Sequence, residues 1–236
     1  MTDLADLARR VRRAGVRAVT DPSYRAILRA RLTRGGALHQ TTELTWRDRY
    51  PEIFGACRAL IGDSERHHLL SFGCSTGEEV LSLREYFPSA RITGAEINTH
   101  SLEVCRRLQV DERIAFVRSE SRILESCAPF DAIFAMAVLQ RTPHRVEGLG
   151  LTSLRRIYPF ERFQAQLTEF DRWLAPGGLL VIHHTQYVFG HTVEAERYLP
   201  VGGESLAVVD GLKFDRRSTL IPGPVAVPTV YRRQRA

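Results

Sequence analysis

The sequence has few cysteines, a single lysine and no long apolar run, and these shortages exclude several classes of protein. Its four cysteines form no CxxC pair and have no histidine at ligand spacing, so neither a disulfide framework nor a metal site is expected. No stretch approaches the roughly 18 apolar residues of a membrane span. The arginine-rich first 30 residues lack the apolar core of a secretory signal. We therefore expect a cytoplasmic protein in a reducing compartment. The cysteines are Cys57, Cys74, Cys105 and Cys127.

The composition fits one folded domain with an appendage. The chain has 236 residues, of which 44% are hydrophobic and 25% charged, which is enough for a core and atypical of a disordered chain. The net charge of +6 belongs to residues 1–36, with nine arginines and three aspartates, because residues 37–236 hold 24 basic and 24 acidic residues. We divide the chain into a basic helical arm or lid, residues 1–62, and a larger domain, residues 63–236.

The basic arm is predicted to be helical. Apolar residues recur at helical spacing over residues 4–19, Asp21-Pro22 is typical of a helix start, and a third helix is expected at 52–61. Such helices could bind nucleic acid, an anionic surface or an acidic partner. They could equally dock an apolar face over a cleft. We favour the docking or lid role because few aromatic residues accompany the arginines, and we expect residues 46–50 to reach the active site.

From residue 67 onward, strands and helices alternate. Strands are predicted at residues 67–72, 90–97, 114–117, 130–135 and 179–184, and helices at residues 77–87, 99–108 and 159–174. A sharp turn at residues 175–178, which contains Gly177 and Gly178, is expected to close the last helix. This alternation predicts an α/β fold with a mostly parallel, doubly wound sheet. The tail predicts an antiparallel hairpin that pairs residues 214–221 with residues 225–232.

The loop after the first strand is the most informative stretch, and it reads Gly73-Cys74-Ser75-Thr76-Gly77-Glu78-Glu79. Its two glycines let a ligand approach the backbone, and the helix that follows presents free N–H groups. The loop is not G-x-G-x-x-G and lacks the lysine of a P-loop, which disfavours a nicotinamide-dependent oxidoreductase. Its two adjacent acids would repel a pyrophosphate but suit a ligand with an amino group or a sulfonium.

This loop resembles motif I of the class I S-adenosylmethionine (SAM)-dependent methyltransferases, in the form closest to the chemotaxis-receptor glutamate methyltransferases. The resemblance covers roughly residues 65–184 and implies a Rossmann-like, seven-stranded sheet with a C-terminal antiparallel hairpin, and SAM as cofactor. The family usually has an acid where this chain has Ser71, and the resemblance implies that Glu78 contacts the methionine amino group instead. The residues implied for the cofactor are Ser71, Gly73, Cys74, Ser75, Gly77, Glu78, Glu96, Ile97, Glu120 and Met136.

Two of these acids follow predicted strands. Glu96 ends the second strand, where a carboxylate can accept two hydrogen bonds from a ribose diol, although a dinucleotide fold would use the same acid. Glu120 follows the third strand, where the family often has an acid that binds the adenine amino group. Its surroundings depart from the family's usual Gly-Asp, and a solvated loop acid remains the alternative.

Residues that face the methyl acceptor are expected at the ends of strands four and five. Gln140 follows strand four, and His183 and His184 end strand five, where one of them could act as a general base. Neighbouring strand residues face opposite ways, so we expect only one of the two histidines to point into the cleft. Basic residues in the insertion at 141–158 would suit an anionic acceptor, unless this is a solvated surface loop.

We therefore predict a SAM-dependent methyltransferase that acts at an oxygen or nitrogen of a small or medium-sized, anionic acceptor. The catalytic candidates are His183, His184 and Gln140, and no metal is expected. The alternative is a non-catalytic module of the same fold that binds nucleic acid or a protein partner through its basic N-terminal helices.

Overall fold

The computed structural model describes residues 45–203 and 206–235, together with residues 12, 15–16, 18–22, 24–26, 28 and 39. The described residues between 12 and 28 are helical except for Asp21. The rest of the predicted N-terminal helices, and with it most of the proposed nucleic-acid or partner surface, lies outside the described residues. Within the described part of the chain, no helix combines the length and the apolar character needed to cross a membrane.

Helices and strands alternate through most of the described residues. The helices are α1 (Pro51–Ile61), α2 (Glu78–Tyr86), α3 (Thr99–Cys105), α4 (Ser121–Cys127), α5 (Pro143–Gly148) and α6 (Phe160–Trp173). The strands are β1 (His68–Phe72), β2 (Arg91–Glu96), β3 (Ile114–Arg118), β4 (Phe130–Met136), β5 (Leu174–His183), β6 (Tyr198–Pro200), β7 (Ala207–Val208), β8 (Val227–Pro228) and β9 (Val230–Arg233).

The main sheet has seven strands in the order β3-β2-β1-β4-β5-β9-β6. The first five strands are parallel to one another, whereas β9 is antiparallel to both β5 and β6. The predicted fold class is therefore confirmed: a mostly parallel, doubly wound sheet that ends in an antiparallel pair. The order reverses between β1 and β4, and open sheets of this kind bind ligands at the carboxyl ends of the strands beside such a reversal.

Both faces of the sheet are covered by apolar side chains. On one face α6 buries Phe163, Leu167 and Phe170 against the sheet. On the other face α1 buries Phe54 and Cys57 in a cluster with residues of β1, β4 and β5. Part of the segment assigned to the arm is thus packed in the core, and the boundary at residue 62 stays a prediction.

The last strand of the chain, β9, pairs with segments other than the one predicted for the C-terminal hairpin. Residues 230–233 pair with Tyr198–Pro200 of β6 and with β5, whereas residues 214–221 form isolated bridges. The segment reverses on itself because the Asp215 carboxylate accepts hydrogen bonds from the backbone N–H groups of Arg217 and Thr219. A turn held by an Asp side chain stops the segment from extending as a strand.

The predicted turn at residues 175–178 is also part of a strand. These residues lie within β5, where the pairing register with β4 shifts between Phe130 and Ala132. Gly177 adopts a φ of 82° there, which a glycine permits at no steric cost. The strand therefore continues through an irregularity where a sharp reversal was expected.

Replacing Gly94 with alanine should destabilise the domain, because β2 and the elements packed on it leave no space for a methyl group. A Cβ atom at this position would lie 2.8 Å from both Phe116 and Val80 side-chain atoms. Overpacking of this kind typically costs about 1–3 kcal/mol of unfolding free energy. Urea unfolding measures the loss, with Gly148→Ala as the control because a Cβ there has nothing within 4 Å. Equal losses in the two variants would contradict the packing described for β2.

Candidate functional site

The carboxyl ends of four neighbouring parallel strands carry most of the residues predicted for the site. The loop after β1 is tied to β2, because the backbone N–H groups of Gly73 and Cys74 donate to the carbonyl of Ala95, at 2.8 and 3.1 Å. The same loop touches the segment after β4, since a Cβ on Gly73 would lie only 2.6 Å from the Val138 side chain. Met136 ends β4 and pairs in register with His183 of β5. The residues predicted for the cofactor and those predicted for the methyl acceptor thus lie at the same end of the sheet, where these four strands end.

Two backbone positions with positive φ shape the loop after β1. Gly77 has a φ of 102°, and α2 begins at the next residue. A Cβ on Gly77 would lie 2.6 Å from Leu108, so both the backbone and the packing require glycine. Ser75 has a φ of 51°, and its buried hydroxyl oxygen has no hydrogen-bond partner among the described residues. A polar ligand bound at this loop could supply the hydrogen bond that the buried Ser75 hydroxyl lacks.

Glu96 lies at the end of β2, next to this loop. Its side chain is 8% exposed, one carboxylate oxygen accepts from the backbone N–H of Ser75 at 2.8 Å, and the other accepts from the N–H of Asn98 at 2.7 Å. Two backbone donors hold this carboxylate in place beside the loop. A carboxylate has about four lone-pair sites, so a single Glu side chain can accept from several donors at once. Ile97 follows directly, between Glu96 and the cap of α3.

Glu79 is the acid that approaches Ser71. The Ser71 hydroxyl, which is fully buried, donates to the Glu79 carboxylate at 2.7 Å. The Glu78 carboxylate accepts from the Thr76 hydroxyl at 2.9 and 2.8 Å, and its contact to the methionine amino group stays a prediction. Burial raises the pKa of Glu79 to about 8, although the hydrogen bond from Ser71 and the charge of Arg49 lower it.

Three other predicted cofactor residues have different surroundings. Cys74 is buried against Cys105, and the contact between the two thiols and the burial raise the pKa of Cys74. Glu120 is more exposed, and it forms an ion pair with Arg118 at 3.1 Å. Met136 is 6% exposed and belongs to the apolar cluster between α1 and the sheet. Their roles toward a cofactor stay predictions.

A cavity of about 250 Å³ opens at the carboxyl ends of β4 and β5. Its wall combines polar side chains with apolar ones from α5 and from a loop near the C-terminus. Gln140 lies in this wall and donates its side-chain amide to the carbonyl of Ala137 at 3.0 Å. The lining residues are Arg49, Gln140, Pro143, His144, Val146, Glu147, His184, Thr185, Gln186, Asp210, Gly211 and Leu212.

Comparison with known proteins identifies the fold and its loop. Residues 70–182 match the family described as "Methyltransferase domain". The matched segment, just under half of the chain, runs from β1 into β5 and includes the loop after β1, and it supports the predicted resemblance to the class I SAM-dependent methyltransferases. The chemotaxis-receptor form of motif I has no support beyond the loop sequence itself.

Two curated relatives and a solved structure show how far these similarities extend. An uncharacterized protein of Synechococcus sp. is 29% identical over 142 residues, which span 58% of this chain and 30% of that protein. Trans-aconitate 2-methyltransferase of Azoarcus sp. is 28% identical over 114 residues, 48% of this chain and 37% of that protein. The chain thus spans about a third of the length of these relatives. The structure of plantazolicin methyltransferase BpumL in complex with SAH aligns at a TM-score of 0.41 and 15% identity, over 73% of this chain and 57% of that one.

The two predicted catalytic histidines, His183 and His184, lie side by side, but only His184 lines the cavity. β5 ends at His183, and His184 leaves the strand with a φ of 51°, so the strict alternation of strand side chains stops there. Their rings lie 4.0 Å apart. His183 is buried, and burial followed by the charge of His184 lowers its pKa to about 4. His183 is therefore neutral at pH 7, whereas His184 is the histidine that lines the cavity.

Sequence reasoning missed two charged residues behind His184. Asp210 accepts from Nδ1 of His184 at 2.9 Å, and Nζ of Lys213 donates to its other oxygen at 2.6 Å. Burial would raise the pKa of Asp210, but the hydrogen bonds from His184 and Lys213 outweigh it and lower the pKa. Lys213 is 1% exposed. Lys213 is the only lysine of the chain, and this was the one feature of the sequence that could have marked it as a candidate.

The segment before α1 contacts the same site. Tyr50 packs edge-to-face on His183, with ring centres 5.0 Å apart, and the Arg49 guanidinium lies over the rings of Trp46 and Tyr50, at 4.4 and 5.1 Å. Arg49 also lines the cavity. Residues 46–50, which were expected to reach the active site, therefore lie at the cavity and against β5.

Much of the insertion at residues 141–158 forms a helix or packs against other parts of the chain, and few of its residues line the cavity. Its first half forms α5, which supplies His144 to the cavity wall. Tyr158 is fully buried and bonds through its hydroxyl to His39 at 2.7 Å, and Arg141 donates to the carbonyl of His39 at 3.0 Å. The other basic residues of the insertion that were expected to suit an anionic acceptor are exposed and lie outside the cavity lining, namely Arg145, Arg155 and Arg156. Among the described residues, no group of histidines, cysteines or acids could hold a metal ion.

The raised pKa of Glu79 makes the stability of the domain depend on pH in a defined direction. Between its ordinary value of 4.5 and about 8, folded Glu79 keeps a proton that the unfolded chain has released, so its contribution to stability is lost as pH rises through this window. Glu79→Gln removes this loss. We expect the wild type to lose on the order of 4 kcal/mol relative to the variant between pH 5 and about 8.5. Denaturant unfolding of both proteins at the two pH values measures the difference, and parallel losses would contradict the assignment.

Proposed function

We propose that this chain transfers a methyl group from SAM to a small acceptor bound in the cavity at the ends of β4 and β5. The observation that carries the proposal is the junction of the loop after β1 with Glu96 of β2. The loop leads into α2, and its Ser75 N–H is bonded to the Glu96 carboxylate at 2.8 Å. A ribose acceptor and a helix-leading loop are thereby held together, next to the cavity.

The residues of this junction fit SAM. The unsatisfied Ser75 hydroxyl can take a polar group of the ligand, and a carboxylate at the end of β2, as in Glu96, can accept hydrogen bonds from a ribose diol. Glu79 fits the methionine ammonium better than Glu78 does, because its carboxylate is held by Ser71 at the position where the family usually has an acid. Gly73 and Gly77 keep the loop backbone open to the ligand.

Bound SAM supplies an electrophilic methyl group, which the acceptor takes by in-line displacement. The work of the protein is then to position the acceptor and to exclude water. Gln140 and His184 present polar groups to the acceptor, while Val146 and Leu212 give the cavity an apolar side. These four residues would orient a small molecule with one polar end.

An anionic acceptor has support from two residues of the wall, Arg49 and His144. The relative named trans-aconitate 2-methyltransferase has by its name an anionic substrate, which is consistent with this class of acceptor. Two acids of the wall, Glu147 and Asp210, carry the charge that would repel an anion. The charge of Asp210 is matched by Lys213, so Glu147 is the acid that disfavours an anionic acceptor. We propose a reducing, cytoplasmic compartment because all four cysteines are free.

Transfer of labelled methyl from SAM into a fractionated cell extract tests the proposed function. We expect a labelled small molecule with the wild-type chain. The same fractions incubated with Glu96→Gln should carry far less label, since this variant has lost the expected ribose contact. Absence of label in every fraction, from a protein that binds SAH, would overturn the proposal and favour a non-catalytic module.

A further inference from the structure

We propose that the acceptor carries a proton on the atom that is methylated and that His184 removes this proton. Asp210 and Lys213 hold the His184 ring in position for this step. This inference rests on the proposed methyltransferase function. It narrows the acceptor to a hydroxyl or an N–H compound and excludes a carboxylate as the methylated group. It also makes Asp210 and Lys213 positioning residues of the reaction.

The hydrogen bond to Asp210 fixes the tautomer of His184. The Asp210 carboxylate is ionised and can only accept, so Nδ1 of His184 donates across the 2.9 Å contact. When the ring carries a single N–H, its lone pair is therefore on Nε2. No described residue hydrogen-bonds to Nε2, and the ring lines the cavity with its side chain 37% exposed. A proton acceptor is thus oriented toward the space where the acceptor binds.

Lys213 keeps Asp210 ionised and in place. Its Nζ donates to the Asp210 carboxylate at 2.6 Å, to the Asp210 carbonyl at 3.1 Å and to the carbonyl of Thr185. All three hydrogens of the ammonium are used, which satisfies a lysine that is 1% exposed. The Thr185 bond ties Lys213 to the residue directly after His184. A chain of bonds therefore runs from Lys213 through Asp210 to the ring.

Other charged or titratable groups around the ring do not replace this chain. The segment before α1, helix α5 and strand β5 each bring such groups to the surroundings of His184, namely Arg49, Tyr50, His144, Glu147 and His183. Among the described residues, Asp210 is the acid in hydrogen-bond contact with the ring. His183 has its pKa lowered to about 4 by burial and by His184, so it is a weaker base. Asp210 therefore sets the proton position on His184.

The proton balance explains why such a base is present. A hydroxyl or N–H acceptor that gains a methyl group from a sulfonium must lose its proton, while the electrons of the broken C–S bond stay on sulfur. In our proposal this proton goes to Nε2 of His184 and then to solvent. A carboxylate is already ionised at neutral pH and has no proton to lose. The arrangement of His184, Asp210 and Lys213 would then serve no chemical purpose.

Alkaline treatment of the labelled product from the extract assay tests the acceptor class. Methyl esters release methanol in mild alkali, whereas methyl ethers and N-methyl groups keep the label. We expect the label to stay in the non-volatile fraction. Release of volatile label would overturn this inference and leave the proposed function standing, whereas absence of any labelled product would overturn the proposed function and this inference with it.

The pH profile of methyl transfer tests the positioning role of Asp210. In Asp210→Asn the amide donates to Nδ1 and places the ring proton on Nε2, so we expect the rate at neutral pH to fall by about 100-fold or more and the acidic limb of the profile to move. Asp210→Glu should restore part of the rate. Asp215→Asn is the matched control, because its retained oxygen still accepts from Arg217 and Thr219. SAH titration shows that each variant is folded, and a wild-type profile in Asp210→Asn would overturn the inference.

Discussion

Replacing Glu96 with glutamine is expected to weaken SAH binding by about 10- to 100-fold. Hydrogen bonds to a charged group contribute about 1.5–3 kcal/mol each, and 1.4 kcal/mol corresponds to a factor of ten in affinity. Glutamine keeps one acceptor oxygen, so it can hold the N–H of either Ser75 or Asn98 but not both as Glu96 does. The variant therefore loses the charge offered to the ribose and part of the anchoring of the loop after β1.

Calorimetric titration with SAH measures this loss. Glu112→Gln is the matched control, because Glu112 is the same residue type, lies exposed before β3 and is not among the residues predicted for the cofactor. We expect the control to bind SAH nearly as the wild type does. Equal weakening in the two variants would remove the special role given to Glu96.

The second large effect concerns Lys213. Lys213→Met should lower the free energy of unfolding by about 3–5 kcal/mol, which is the usual cost of removing one partner of a buried ion pair. Methionine has a similar shape but leaves Asp210 without its cation, and it leaves the carbonyls of Thr185 and Asp210 without a donor. The lost charge pairing accounts for most of the expected cost.

A double variant separates the charge from the packing. Asp210→Asn combined with Lys213→Met removes both members of the pair, so we expect it to recover much of the stability lost in the single Lys213 variant. Chemical unfolding at pH 7 measures all three proteins. Simple additivity of the two single losses would show that Lys213 and Asp210 are not coupled.

The sequence predicted the sheet because its signals are local. Short apolar runs that end in Gly73 or Glu96, each followed by a helical pattern, place the strands and the ligand loop without knowledge of the tertiary structure. The fifth strand was predicted too short because Gly177 was interpreted as part of a turn, whereas β5 passes through it with an irregular register.

The rest of the site depends on tertiary contacts that leave no periodic pattern. Asp210 and Lys213 lie in an irregular segment, and they become functional candidates only because the fold brings them against His184. Glu78 and Glu79 are equivalent in the sequence, and the structure separates them, because only Glu79 reaches Ser71. The strand partner of the C-terminus was missed because β6 has three residues, too few to show an alternating pattern.

The measurement that tests the central claim most directly is a crystal structure of the full chain with SAH. The account predicts that the ribose hydroxyls bond to Glu96, that the amino group lies near Glu79, and that the sulfur faces the cavity lined by Gln140 and His184. A ligand bound away from the loop after β1, or a sulfur directed away from this cavity, would contradict it.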